Sequence, residues 1–262
     1  MNCEPLVSVM RHLVLRAGDV ITDFFERDVI PVQEKSDSSP VTEADLEADA
    51  LISDGLKQAF PSLKLVTEEQ AVSQNRIGKT FLIVDPLDGT QEFIKRGKDF
   101  TINIAFVERG VPIYGVVYAP GHQRLFFTRS RTQAVEEVGP FSLDHIGRVK
   151  PISVRAADSD DFIAVESRRH RDDGTQTLIR KFGARRVKRV GSSLKFCLVA
   201  TGEADIYPRF GPTMEWDTAA GHAILQSAGG EVVCLDTQEP LKYGKPEFRN
   251  PAFIAHSGGV QL

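Results

Sequence analysis

Phe81-Leu82-Ile83-Val84 is a compact apolar run that stops at Asp85-Pro86-Leu87-Asp88-Gly89-Thr90. Apolar residues bounded by turn chemistry read as a buried strand, and this strand ends in carboxylates. Lys64 to Glu69 is a second short β-like run, also closing on adjacent acids. With 262 residues, 41% of them hydrophobic, the chain can bury such strands in one large domain or two closely packed halves, which excludes disorder.

Helices are expected around them. Leu6, Val7, Met10, Leu13, Val14, Ala17 and Ile21 recur at helical spacing between Leu6 and Phe25. A second helix is expected from Thr42 to Phe60, with Glu43 and Asp45 in a first turn that favours negative charge. A short helical stretch covers Gln91 to Ile94. Thr101–Val107, Pro112–Ala119 and Arg124–Thr128 read as strands of an antiparallel meander, separated by turns at Glu108-Arg109-Gly110 and Pro120-Gly121-His122. The stretch from Arg129 to Pro151 is polar and weakly patterned, so a boundary is expected near residue 150. Beyond it come strands at Phe162–Glu166, Arg186–Val190, Ala204–Pro208 and Glu231–Leu235, and helices at Gly174–Phe182, Ser192–Thr201 and Asp217–Ala228.

The 32 basic and 36 acidic residues leave a slightly acidic chain, so net charge does not point to a nucleic-acid partner. Cys3, Cys197 and Cys234 are odd in number and widely spaced, which argues against a disulfide framework or a zinc site and suits a reducing compartment. Glu4, Arg11 and Arg16 interrupt the apolar residues of the N-terminus, and no run approaches a membrane span. The expectation is a soluble protein of the cytoplasm. Peripheral attachment to the cytoplasmic side of the inner membrane would leave no such trace and stays open, as does the choice between monomer and homodimer.

Acids recur at strand ends or helix starts in four places: Asp45, Glu68 with Glu69, Asp85 with Asp88, and Asp217. Mg²⁺ takes oxygen ligands, and carboxylates crowded together repel one another until cations neutralise them. In Asp85–Thr90, Pro86 restricts the backbone, both aspartates and the Leu87 carbonyl can face one ion cluster, and Gly89 permits close approach of the backbone. A helix starting at Thr90 would offer the amides of Gly89 and Thr90 to a phosphate. Taken alone, the hexapeptide reads more readily as a capped acidic turn than as a metal site.

It does not stand alone. Thr42-Glu43-Ala44-Asp45, Glu68-Glu69, Asp85 to Thr90, and Glu215-Trp216-Asp217-Thr218-Ala219-Ala220-Gly221 follow the order and spacing of the inositol monophosphatase superfamily, and the resemblance spans nearly the whole chain. Within it, Gln91-Glu92-Phe93-Ile94, Gly191 to Cys197 and Tyr207 to Pro212 resemble the 3'(2'),5'-bisphosphate nucleotidases of the CysQ type. The resemblance implies an α/β fold with layered αβαβα architecture. Residues 1–150 would form an α+β half with most of the metal ligands, and residues 151–262 an α/β half completing the metal and nucleotide site. It also implies lithium sensitivity and a role in sulfur metabolism, with hydrolysis of the 3'-phosphate of 3'-phosphoadenosine 5'-phosphate to AMP and phosphate; cleavage of its sulfated counterpart stays open.

Carried over residue by residue, the implied metal ligands are Glu68, Asp85, the Leu87 carbonyl, Asp88 and Asp217, holding two or three Mg²⁺. Asp45 and Thr90 fall on the pair that orients the attacking water. Substrate contacts fall on Glu68, Leu87, Asp88, Gly89, Thr90, Ser192, Lys195, Arg209 and Asp217, with His170 a looser match. Thr67 and Glu215 depart from many relatives, and Glu215 is expected at the substrate rim.

Other readings compete. The basic residues at 168–171 and 185–189 suit a solvated face better than a nucleic-acid site, because no recognition motif accompanies them. Trp216 and Cys197 read as packing residues, Glu69 as an acid orienting its neighbours, and Glu47 and Asp49 as a solvated helix face. An inositol or fructose phosphate phosphatase would share the metal chemistry. A non-catalytic Mg²⁺ and phosphate sensor acting through a protein partner would not need the Asp45–Thr90 pair.

Overall fold

A computed structural model describes residues 4–35, 40–75, 78–169 and 172–260. Helix α1 (Glu4–Phe25) buries the apolar stripe expected from its spacing, from Leu6 through Phe24. A hairpin follows, with β1 (Val32–Glu34) antiparallel to β2 (Pro40–Thr42), and β2 runs directly into α2 (Glu43–Ala59). These strands of three residues are too short for a period of two to register, and the sequence reading has no strand there.

The next elements are β3 (Lys64–Thr67), β4 (Thr80–Asp88), α3 (Thr90–Ile94), β5 (Thr101–Glu108), β6 (Val111–Ala119), β7 (Arg124–Ser130), β8 (Gln133–Val138) and β9 (Arg148–Ile152). Their strands form a seven-stranded sheet in sequential order, with β3 parallel to β4 and every later pair antiparallel. Then come β10 (Ile163–Ser167), α4 (Asp173–Lys181), β11 (Arg186–Val190), α5 (Leu194–Ala200), β12 (Ile206–Arg209), α6 (Ala219–Ser227), β13 (Glu231–Cys234) and β14 (Phe253–His256). The second sheet has the order β11-β10-β12-β14-β13.

Strand pleating explains the layers. On β4, Leu82 and Val84 pack with Met10, Val14 and Ile52 of α1 and α2, while Phe81 and Ile83 face the opposite core. A strand covered on both faces reads as a continuous apolar run, which is why Phe81–Val84 shows no alternation. The opposite core contains Phe196 of α5 and Ala220 and Ile224 of α6, with Tyr207, Phe253 and Ala255 of the second sheet on its far side. Ile179 of α4 covers the outer face of that sheet against Ala164, Ile206 and Ile254. The stack is helix, sheet, helix, sheet, helix, as the resemblance implied. Among the described residues no helix is long and apolar enough to cross a membrane.

Two stretches differ from the sequence reading. The polar region after Arg129 holds β8 and β9, and its apolar pattern is broken by Glu137, a buried acid whose Oε2 lies 2.6 Å from Arg11 Nε. β14 lies between β12 and β13, so its four residues acquire strand identity only from distant partners.

The core also contains a titrating group. His222 of α6 is buried, 3.0 Å from the Tyr243 hydroxyl, and burial, with Lys242 and Lys245 adding, pushes its pKa down to about 3. The unfolded imidazole binds a proton below its ordinary value near 6.5, whereas the folded one stays neutral until about 3. Stability present above pH 6.5 is therefore lost as pH falls through that window, by about 2 kcal/mol at pH 5. Denaturant titrations of wild type and His222→Gln at pH 7.5 and pH 5 check this: the variant loses less stability on acidification by that amount.

Candidate active site

β3 and β4 run parallel, so their carboxyl ends open on the same edge of the sheet, with Glu68 just beyond β3 and Asp85 on β4. In a regular strand, residues three apart point to opposite faces. Here Asp85 pairs with Asn103 and Asp88 with Thr101, so β4 carries one more residue than β5 between these pairs. This bulge falls at Pro86, which has no N–H for the ladder, and the Leu87 amide instead donates to Asp85 Oδ1 at 3.0 Å. The extra residue re-aims Asp88, so that both aspartates line one cleft.

Asp217 enters that cleft from the turn before α6, held by the Met214 amide at 2.8 Å from Oδ2. Carboxylate oxygens of Glu68, Asp85 and Asp217 lie within 4.8 Å of one another. Burial, followed by Glu68, Asp88 and Asp217, raises the Asp85 pKa well above its ordinary value. Asp217 is raised in the same way, by burial and then by Asp88 and Glu68. Burial pushes Asp88 up to about 6 against the opposing pull of Lys195 and the Ser193 amide. A cation among carboxylates so placed offsets their mutual repulsion and favours their charged forms, and an all-oxygen set fits a hard divalent ion such as Mg²⁺.

Asp45 occupies the third position of α2. The Thr42 amide and hydroxyl donate to its Oδ2 at 2.8 and 2.6 Å, which leaves Oδ1 for the Thr90 hydroxyl at 3.0 Å. Burial raises the pKa of Asp45 despite these donors. The Thr90 hydroxyl also lies 3.1 Å from the Leu87 carbonyl, so it can donate to either oxygen. Gly89, with φ of 96°, makes the turn into α3, and a β-carbon there would stand 2.8 Å from the Asp99 carbonyl oxygen.

Ser192, Lys195 and Arg209 line the same cleft, a cavity of about 330 Å³. Lys195 is buried, its Nζ donating to the Ser192 carbonyl and lying 5.1 Å from the Tyr207 ring. Burial, with Arg209 adding and Asp88 opposing, lowers its pKa to about 8. Arg209 Nη2 donates to the Pro212 carbonyl at 3.0 Å, while its buried Nε has no partner among the described residues. His170 lies outside the described residues.

Lys35 escaped the sequence reading, as did the partners of Glu69, Glu92 and Ser193. Lys35, just after β1, donates to Glu68 at 2.7 Å and Glu69 at 2.8 Å. Burial alone would lower the pKa of Lys35, but Glu68 and then Glu69 outweigh it and raise it. Glu69 is in turn pushed up to about 7 by burial and Glu68, with Lys35 opposing. Glu92 and Arg169 form an ion pair of 2.5 Å on the wall of the cleft. Ser193 donates from its amide to Asp88 and from its hydroxyl to Asn103 at 2.7 Å. These contacts join separate elements, so no local pattern signals them.

Two expectations are corrected. Asp49 does not lie on a solvated face: it is one helical turn from Asp45 on the same side of α2, buried, and accepts from Thr67 Oγ1 at 2.5 Å and Gln70 Nε2 at 2.6 Å. Glu215 is not on a substrate rim but fully buried, where it accepts from the Gly244 and Lys245 amides and pairs with Lys245 Nζ at 2.6 Å. Trp216 packs in the core with its ring 5.9 Å from Phe248. The basic stretch is largely paired, Arg168 with Asp99, Arg186 with Asp161 and Arg189 with Glu166, which leaves little free positive field for a polyanion.

Comparisons with known proteins extend this geometry. The 3'(2'),5'-bisphosphate nucleotidase CysQ of Shigella flexneri is 41% identical over 249 residues, covering 92% of this chain and 96% of that protein. The Haemophilus influenzae protein of the same name is 31% identical over 258 residues, covering 96% of this chain and 92% of its own length. The crystal structure of CysQ from Bacteroides thetaiotaomicron, a bacterial member of the inositol monophosphatase family, matches with a TM-score of 0.82 at 38% identity, covering 97% of each chain. The inositol monophosphatase family profile matches residues 2–258. Since that match takes in all five layers and every carboxylate of the cleft, this chain belongs to the inositol monophosphatase family.

Proposed function

We propose that this chain is a Mg²⁺-dependent 3'(2'),5'-bisphosphate nucleotidase that hydrolyses the 3'-phosphate of 3'-phosphoadenosine 5'-phosphate, giving AMP and phosphate. The observation that carries this reading is one cleft with two opposed linings: the acids Glu68, Asp85 and Asp217, and the buried cations Lys195 and Arg209. The first suits metal ions around a scissile phosphate, the second a further phosphate on the same substrate. The names of the relatives that are 31% and 41% identical support the same substrate class.

Glu68, Asp85, the Leu87 carbonyl, Asp88 and Asp217 would hold two or three ions. When bound, Mg²⁺ supplies Lewis-acid polarisation of the phosphate and lowers the pKa of water. The Thr90 hydroxyl donates to Asp45 Oδ1 and accepts from the attacking water, so that the water's proton passes to Thr90 as the Thr90 proton passes to Asp45 Oδ1, the other Asp45 oxygen being fixed by Thr42. The P–O bond to water forms as the P–O3' bond breaks, and the ribose 3'-oxygen leaves and takes up a proton from solvent, so no covalent enzyme intermediate forms. Gly89 makes the tight turn against the Asp99 carbonyl that sets the backbone beside the phosphate. Lys195 and Arg209 hold the 5'-phosphate, Arg209 through the Nε that has no partner among the described residues.

Phosphate release from 3'-phosphoadenosine 5'-phosphate and from inositol 1-phosphate, with Mg²⁺ and with added Li⁺, tests the assignment. A clear preference for the nucleotide is expected, and a preference for the inositol phosphate would overturn it. In Arg209→Ala, KM for the bisphosphate rises about tenfold or more while the rate on inositol 1-phosphate changes little, because a charged hydrogen bond to the second phosphate is lost. Equal losses on both substrates would remove Arg209 from that role.

A further inference from the structure

Asp99 lies just before β5 and is buried between the two glycine turns of the cleft. Its backbone carbonyl is the atom that a β-carbon on Gly89 would meet at 2.8 Å, and a β-carbon on Gly191 would meet the same oxygen at 2.7 Å. Its side chain gathers three groups from other elements. Oδ2 accepts from the Gly191 amide at 2.9 Å and from Arg168 Nε and Nη2 at 3.0 and 2.7 Å, and Oδ1 lies 2.9 Å from His122 Nε2. Burial opposes its charge, but His122, the Gly191 amide and Arg168 together hold its pKa well below the usual carboxylate range. The residue after Gly191 is Ser192, a non-glycine with φ of 53°, so the turn needs support from outside.

We infer that Asp99 is a positioning residue that sets the Gly191–Ser192 turn at the distance needed for a bisphosphate nucleotide, tying a loop of the first sheet to the ends of β10 and β11 in the second. The inference rests on the nucleotidase reading above. It separates two parts of the site. Gly89 is approached by the Asp99 backbone, which a side-chain substitution leaves in place, and Ser193 is anchored independently on Asp88 and Asn103. Asp99→Asn keeps one acceptor oxygen but loses the charge and the second oxygen of the carboxylate on which Arg168, His122 and the Gly191 amide converge, which loosens the nucleotide side of the cleft and leaves the hydrolytic side standing.

Steady-state kinetics of wild type, Asp99→Asn and His122→Gln on 3'-phosphoadenosine 5'-phosphate and on glycerol 2-phosphate, with thermal unfolding in parallel, test this. KM for the bisphosphate is expected to rise roughly tenfold in Asp99→Asn and about threefold in His122→Gln, with kcat/KM for glycerol 2-phosphate held within about twofold. His122 sits in a partly exposed turn and carries the test if Asp99→Asn fails to fold. Unchanged KM in the folded variants, or equal losses on both substrates, overturns the positioning role alone. A wild-type enzyme with no preference for the bisphosphate overturns the nucleotidase reading and the role together.

Discussion

Asp85→Asn is expected to lower phosphate release at saturating Mg²⁺ by on the order of 10³-fold or more, because it removes a central carboxylate from the proposed metal cluster. The same substitution should leave the protein folded. Asp85 is fully enclosed, and its charged form is opposed first by burial and then by Glu68, Asp88 and Asp217. A neutral amide of nearly the same shape relieves that repulsion and keeps an acceptor for the Leu87 amide. In the presence of a chelator its melting temperature should therefore equal or exceed that of wild type. The two measurements belong together, since loss of activity with loss of fold would say nothing about metal binding. Near-normal turnover of a folded Asp85→Asn would remove Asp85 from the cluster.

Asp45→Asn is expected to reduce kcat by roughly 10²- to 10⁴-fold with little change in KM, the range for loss of a positioned general base. The substituted amide still presents an oxygen to Thr42, so the first turn of α2 stays capped. What the variant loses is the capacity to accept a proton at the oxygen facing Thr90. Thr90→Ser keeps that hydroxyl and should retain most of the activity. Single-turnover rates separate the chemical step from substrate binding, and a fall in KM-dependent rates alone would place Asp45 on the binding side.

The contrast between Asp45 and Asp49 shows how far local reading reaches. Both acids lie on α2, four residues apart and therefore on the same side, yet the sequence reading sends Asp49 to solvent. A buried acid needs partners, and those of Asp49 are Thr67 and Gln70, in a strand and loop that follow the helix. Glu215 gave the same difficulty, because the amides that bury it belong to residues 244 and 245. Glu137 disguised β8 for this reason too: the guanidinium that allows a carboxylate inside the sheet comes from α1, 126 residues away.

By itself the sequence determined the succession of long helices and strands, because apolar periodicity, caps and turn residues act over a few neighbours. It also placed acids at the strand ends and helix starts, and through resemblance it grouped Asp45, Glu68, Asp85, Asp88 and Asp217. Tertiary structure alone decided how those acids meet: the bulge at Pro86 that aims Asp85 and Asp88 into one cleft, the Lys35 bridge to Glu68 and Glu69, and the Asp99 contact with Gly191 across 92 residues. The physical reason is that a buried charge is tolerated only where donors or cations converge on it, and these arrive from elements that no local pattern connects.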